Sequence, residues 1–263
     1  MTPDAIRTDV AHSARMYDFL LGGKDNFEVD RQAVAQLLVA SPQIRDLARD
    51  NRRFLRRAVR YLAGERGIRQ FLDIGTGLPT SLNLHEVAQG VAPEAHVVYV
   101  DNDPLVLVHA RALLASAPEG RTAYVEADLR EPATILGAAE LRDTLDLDRP
   151  IALSLLAILH FFTAEADPYG IVATLVDALP SGSALVISHA TSDFLTEEMR
   201  RTAEIYQRQG IAGTARSHDE VLRFFDGLGL VDPGLVLVND WRPDGESAPD
   251  APRGIYGGVA FKP

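Results

Sequence analysis

Five ionisable side chains sit where an α/β chain could use them. Asp73 precedes Gly75-Thr76-Gly77 in FLDIGTGLPT (71–80), Asp101 closes HVVYVD, Asp128 closes TAYVEAD, His160 follows ALSLLAIL, and His189 follows ALVIS. Two glycines one residue apart let the main chain turn tightly and lie close to a ligand. A carboxylate at 101 can accept from both hydroxyls of a ribose, and one at 128 from an adenine amino group. An acid at 73, beneath the turn, disfavours a pyrophosphate and favours a cation. Histidine has a pKa suited to a general base, so His160 and His189 are the candidates for that role. The alternative for both is structural, donating to a strand-end carbonyl. Phe161, Phe162 and Tyr169 are candidates for the wall of a ligand pocket, or for plain core packing.

These residues need elements to bring them together. From residue 68 onward short aliphatic runs alternate with helical stretches. Strands are expected at 69–74, 96–101, 122–128, 150–159 and 183–190, with helices at 80–90, 104–116 and 168–179. The fourth strand is apolar throughout, as a strand buried on both faces should be. SHDEVLRFFDGLGL (217–230) opens with Ser217 and Glu220, a capping box, and reads as a helix. LVLVNDW (235–241) and IYGGVAFK (255–262) read as a closing antiparallel pair. Residues 1–65 show no strand but two helical patterns, about 28–40 and 44–63. In the second, Asn51 falls on the apolar stripe, and Arg52, Arg53, Arg56, Arg57 and Arg60 fall mostly outside it, as a solvated face would. The expectation is a parallel sheet with right-handed crossovers, its ligand beyond the C-terminal strand ends near strand 1.

Composition narrows the partners. The chain has 263 residues, 26 basic against 37 acidic, and a net charge of −11, which repels polyanions and argues against nucleic acid or an anionic membrane. There is no cysteine, which removes disulfides, thiolate metal sites and a thiol nucleophile and fits a cytoplasmic protein. No signal-peptide core or membrane-length apolar run is seen. No metal is expected from the two histidines with Asp128, because no HxH or HExxH spacing supports it.

The glycine turn must still be matched to a ligand. A dinucleotide fingerprint needs glycine at 80, where Thr80 stands, and Leu78-Pro79 crowd the helix start. No tyrosine has a lysine four residues later. A P-loop fails because Gly23-Lys24 is followed by Asp25 and Asp18 holds the earlier glycine position. S-adenosylmethionine, with adenine, ribose, a sulfonium and no phosphate, suits the acids better. The series D-x-G-x-G, an acid ending strand 2 and A-D-L at strand 3 resembles class I methyltransferases over about 69–190.

On a larger scale the chain resembles one actinobacterial family of S-adenosylmethionine-dependent methyltransferases, formerly a domain of unknown function. The stretches that carry this are SARMYDFLLGGKDNFEVDR (13–31), ARDNRRFLRRAVRYLA (48–63), IRQFLDIGTGLPTSLNLHEVAQ (68–89), VVYVDNDP (97–104), HARALL (109–114), ADLREP (127–132), ILHFF (158–162) and YGGVAFKP (256–263). The resemblance implies a Rossmann-like class I sheet of about seven strands, mostly parallel with the last antiparallel, flanked by helices. It implies S-adenosylmethionine as methyl donor and S-adenosylhomocysteine as product. It puts Asp73, Gly75, Thr76 and Gly77 around the methionine part, Asp101 on the ribose, Asn102 and Asp103 beside the adenine, and Asp128 with the Leu129 backbone on the adenine edge. A small-molecule O- or N-acceptor is expected. The alternatives are a non-catalytic protein that binds donor and product, and an NAD-dependent oxidoreductase.

Residues 1–65 are expected to form a helical cap on a methyltransferase domain of 66–263, the two making one compact unit. In YDFLLGGKDNF (17–27), Gly22 and Gly23 suggest either a helix stop, with Gly22 as C-cap, or a hinge. In the second reading residues 15–27 close over the donor, with Arg15 on its carboxylate and Tyr17 or Asn26 near the sulfonium. His160 would also touch the donor. Residues 191–215 match no pattern and are candidates for shaping the acceptor pocket.

Overall fold

The computed structural model describes residues 7–79, 82–113, 116–194, 196–245 and 251–263. Its centre is an eight-stranded sheet: β1 (Gln70–Ile74), β2 (His96–Asp101), β3 (Arg121–Glu126), β4 (Ala152–Leu156), β5 (Ala184–Ala190), β6 (Gly229–Leu230), β7 (Val236–Leu237) and β8 (Ile255–Phe261). The order is β3-β2-β1-β4-β5-β8-β6, with β7 also paired to β8. The first five strands are parallel and β8 runs antiparallel to β5, with Ser188 opposite Gly257. The order reverses between β1 and β4, so their tips diverge and leave a crevice.

The helices are α1 (Ser13–Leu20), α2 (Glu28–Ala40), α3 (Ile44–Arg60), α4 (Leu84–Val91), α5 (Pro104–Leu113), α6 (Pro132–Gly137), α7 (Ala139–Thr144), α8 (Pro168–Asp177), α9 (Thr196–Arg208) and α10 (His218–Leu222). Among the described residues, no helix is long and apolar enough to cross a membrane. One sheet face buries Leu72, Val98, Leu153 and Leu185 with Ile135, Leu141 and Leu175. The other buries Phe71, Val97, Ala152 and Val186 with Phe54, Ala58 and Leu62 of α3 and its π-helical continuation, so that α3 lies directly on the sheet. A third cluster joins Met16 and Leu20 of α1, Val34 and Leu37 of α2, Ala48 of α3 and Ile205 of α9. This cluster therefore joins the first three helices to α9, which lies far from them in sequence.

Several boundaries differ from the sequence expectation. β4 stops at Leu156, not 159, because Ala157 takes a left-handed conformation (φ 53°) and donates its N–H to Ser188. The chain then makes a 3-10 turn, Leu159–Phe161, which carries His160. Ser217 and Glu220 do form the capping box, but α10 ends at Leu222, followed by a short 3-10 turn and then β6. The closing strand pair is antiparallel as expected, though its first member has shrunk to Val236–Leu237.

Candidate donor and acceptor site

A single cavity opens over the crevice. Its floor is Asp73, Gly75, Thr76 and Gly77 after β1, Asp101 and Asn102 after β2, and Asp128 and Leu129 after β3. Its roof includes Tyr17 of α1 and Asn51 and Arg52 of α3. Its far wall is Ile158, His160 and Phe161 with Met199, Ala203 and Tyr206 of α9.

The turn after β1 needs its glycines for two different reasons. Both have positive φ, 74° at Gly75 and 68° at Gly77. A Cβ on Gly75 would come within 2.8 Å of Ile158, whereas one on Gly77 would meet nothing within 4 Å and so would project into open space. The Gly75 N–H is held by Val100 O at 2.8 Å and the Gly77 N–H by Asp101 Oδ2 at 2.8 Å. Asp101 Oδ1 also accepts from the Asp103 N–H at 2.9 Å. Both oxygens keep a second lone pair for a ligand.

Electrostatics distinguish the acids. Burial pushes the Asp73 carboxyl up to about 7, with Arg52 pulling the other way. Burial also raises Asp101, against the two backbone N–H groups. Asp128 is lowered, first by its hydrogen bonds from Arg130 (3.0 and 2.6 Å), and Asn102 Nδ2 adds a contact at 3.3 Å. Two carboxyls thus face the cavity reluctant to ionise, a condition a cationic ligand relieves.

Six expected site residues lie outside the cavity lining. Arg15 is 3% exposed and donates to the carbonyls of Arg7 and Val10, with Asp103 Oδ2 at 3.5 Å and Asp30 Oδ1 at 3.9 Å. Asp103 itself caps α5 by accepting from the Leu105 N–H at 2.9 Å and meets His12 Nδ1 at 3.2 Å. Gly22, at φ 85°, ends α1, which is the helix-stop reading. Gly23 lies so close to the Asp18 carboxylate that a Cβ there would overlap it. Asn26 Nδ2 donates to Asp18 Oδ2 at 2.8 Å. His189 is fully buried; its Nδ1 lies 2.7 Å from Ala190 O and its Nε2 2.8 Å from Arg216 Nη1. An arginine can only donate, so Nε2 accepts and the ring is a neutral structural histidine.

Sequence reasoning missed Arg52, which lines the cavity with its Nε buried and unpartnered while Nη2 donates to Leu82 O at 3.2 Å. It also missed what Asn51 does. Asn51 Nδ2 donates to the Tyr17 hydroxyl (3.0 Å), Ser188 donates to Asn51 Oδ1 (2.6 Å), and the Tyr17 hydroxyl donates to Ala48 O (3.0 Å). A polar residue on an otherwise apolar stripe was the available signal. Residues 191–215, unreadable in sequence, do supply cavity wall through α9 and through Gly213, Thr214 and Ala215.

Comparison with known proteins gives the family and the fold. A family model described as S-adenosyl methyltransferase matches residues 1–263. A solved DUF574 family protein from Streptomyces avermitilis is 52% identical, with a TM-score of 0.95 over 97% of this chain and 99% of that one. A Thermobifida fusca protein, named provisionally as a methyltransferase, is 41% identical with a TM-score of 0.90, covering 99% and 97%. The plantazolicin methyltransferase BpumL, solved with S-adenosylhomocysteine, is 12% identical at a TM-score of 0.54 over 95% of each chain, a likeness of fold alone. No curated protein matches the chain.

Proposed function

The chain belongs to the S-adenosyl methyltransferase family, and from that premise we propose that it methylates a small molecule at oxygen or nitrogen. The observation that carries this is the continuity of the cavity. Its floor has the groups a donor needs, and its far wall, in the same enclosure, is mainly apolar.

The residues present fit the donor. Gly77 leaves open space where any other residue would put a side chain. Asp101 offers two lone pairs to ribose hydroxyls, and Asn102 with the Leu129 backbone borders the adenine. Asp128 is already clamped by Arg130, so it orients Asn102 more than it reads the base. Asp73 takes the ammonium and Arg52 the carboxylate of the methionine part, the latter in place of Arg15. When bound, S-adenosylmethionine supplies an electrophilic methyl group on a sulfonium. The chain's part is to hold an acceptor in line with it and to keep water, a competing acceptor, outside. Tyr17 serves the second task by closing the roof.

Calorimetry with S-adenosylmethionine, S-adenosylhomocysteine and NAD tests the reading. We expect both adenosyl compounds to bind and NAD not to. Asp101→Ala should weaken them roughly 10- to 100-fold, the worth of hydrogen bonds to a charged group. Unchanged affinity in that variant would remove Asp101 from the ribose. Equal binding of donor and product with no methyl loss over an acceptor panel would instead support a non-catalytic binder.

A further inference from the structure

Resting on that reading, we propose that the acceptor is an oxygen acid on an apolar body that binds already ionised, its O⁻ facing a His160 N–H backed by the buried charge of Arg216. His160 is then a donor to the acceptor, not a base acting on it.

His160 Nδ1 is buried with no hydrogen-bond partner and the residue lines the cavity, so Nε2 is the nitrogen left to meet a ligand there. A buried N–H without an acceptor is rarer than an under-used lone pair, so the proton belongs on Nε2. Burial and Arg216 hold the imidazole down to about 4, so the ring is neutral near pH 7 and its bare nitrogen points away from the cavity. A base needs the opposite arrangement.

Arg216 explains why an anion is wanted there. It is 4% exposed and donates to Leu159 O (3.1 Å), just before His160, and to Phe162 O (2.8 Å), at the end of the same turn. Its third partner is the neutral His189, and the Tyr169 and Phe224 rings flank it at 5.8 and 5.6 Å. Among the described residues no carboxylate pairs with it. A buried cation without a counterion is costly. An anion held by the His160 turn would be that counterion. Around it, Phe161, Met199 and Ala203 offer an apolar seat, and the Thr202 hydroxyl is buried without a partner.

The chemistry balances without a base. The acceptor leaves its proton in solvent before binding. Its oxygen lone pair forms the O–C bond as the C–S pair withdraws to sulfur, so an anion and a sulfonium become a neutral ether or ester and a neutral thioether. The product has lost the charge that held it, which favours release.

The test uses full-length protein saturated with S-adenosylhomocysteine, so no turnover occurs. Binding of 4-nitrophenol, 4-nitrobenzoate and the neutral 4-nitroanisole is measured, with visible absorbance reporting the ionisation of bound nitrophenol. We expect at least one anion to bind roughly tenfold or more tighter than nitroanisole. If it is nitrophenol, its ionisation in the site should fall by roughly one pH unit or more; if only nitrobenzoate, the acceptor is a carboxylic acid. His160→Leu should lose this preference and His160→Gln, which keeps an N–H, should retain most of it, each measured with S-adenosylhomocysteine raised to saturation for that variant. The proposal is overturned if nitroanisole binds as well as the anions, if neither anion binds, if nitrophenol is the preferred compound and binds neutral, or if His160→Leu keeps the preference. Failure of S-adenosylhomocysteine itself to bind would overturn the donor site, and this proposal with it.

Discussion

Replacing Asp73 by asparagine should separate what the fold loses from what the ligand gains. The carboxyl is 6% exposed and pushed from its ordinary 3.8 up to about 7. In the unfolded chain it ionises near the ordinary value, so folding is opposed increasingly from there up to about pH 7, where the native group ionises too and the penalty levels off. At about 1.4 kcal/mol per pH unit, the full penalty above pH 7 is on the order of 4 kcal/mol. At pH 5 the unfolded carboxyl is already mostly ionised, which leaves a penalty of roughly 1.5 kcal/mol. The sign is that of an acid raised on folding: stability is greatest at low pH and is lost as pH rises to about 7. Asp73→Asn has nearly the same shape and no such penalty. Its melting temperature should gain on the parent by about 5 °C or more between pH 5 and pH 8, taking roughly 2–4 °C per kcal/mol for a chain of this size. The ligand arm runs the other way. If the donor's ammonium meets this carboxylate, parent affinity for S-adenosylhomocysteine should rise up to about tenfold per pH unit up to pH 7, while the variant binds weakly and independently of pH. Differential scanning fluorimetry and calorimetry at both pH values check this. A melting-temperature gap that does not change with pH would refute the shifted ionisation. A pH-flat parent affinity would refute the contact.

Gly75→Ala and Gly77→Ala should differ in degree: both strain a positive-φ position by roughly 1 kcal/mol, but the first also pushes a methyl against Ile158 and should destabilise by roughly 2–3 kcal/mol, while the second should add a loss of donor affinity, read by melting and calorimetry together. Arg15→Met should act on the fold, by roughly 3–5 kcal/mol, because it leaves Asp30 and Asp103 buried without their cation. Arg52→Gln should do the reverse, weakening donor binding roughly tenfold with a melting temperature close to the parent's. Tyr17→Phe removes one end of two hydrogen bonds and should cost roughly 1–2 kcal/mol by denaturant titration.

Local signals were legible in the sequence, and long-range ones were not. The turn at Gly75 and Gly77, the acid ending β2 and the Ser217–Glu220 box each lie within a few residues of what explains them. Arg15 finds its partners, Asp30 and Asp103, by tertiary contact, which helical spacing does not show, while Gly22, Gly23 and Asn26 close a local turn around Asp18 and the end of α1, the helix-stop alternative. Arg52 was hidden among neighbouring arginines, since helical spacing shows which residues leave the apolar stripe but not which of those meet a cavity. β4 overran because a continuous aliphatic run carries no mark of where Ala157 reverses its φ. β6 was masked by a helix pattern whose last turns give way to Gly227 and Gly229. His189 and His160 look alike in sequence, both near strand ends, and the tertiary structure tells them apart: His160 lines the cavity, while His189 is buried between Ala190 O and Arg216, which comes from a distant loop.

The hydrogen-bonded chain from Ser188 through Asn51 to Tyr17 has a kinetic meaning. It spans the third helix and couples the first one to a strand in the middle of the sheet. Prising the N-terminal helix away would break this chain and expose Met16 and Leu20 to water. Local fraying of that segment is therefore penalised far more than its position near a chain end suggests. In deuterium exchange, the amides of residues 16–20 should behave as slow, late-exchanging sites alongside those of 184–188.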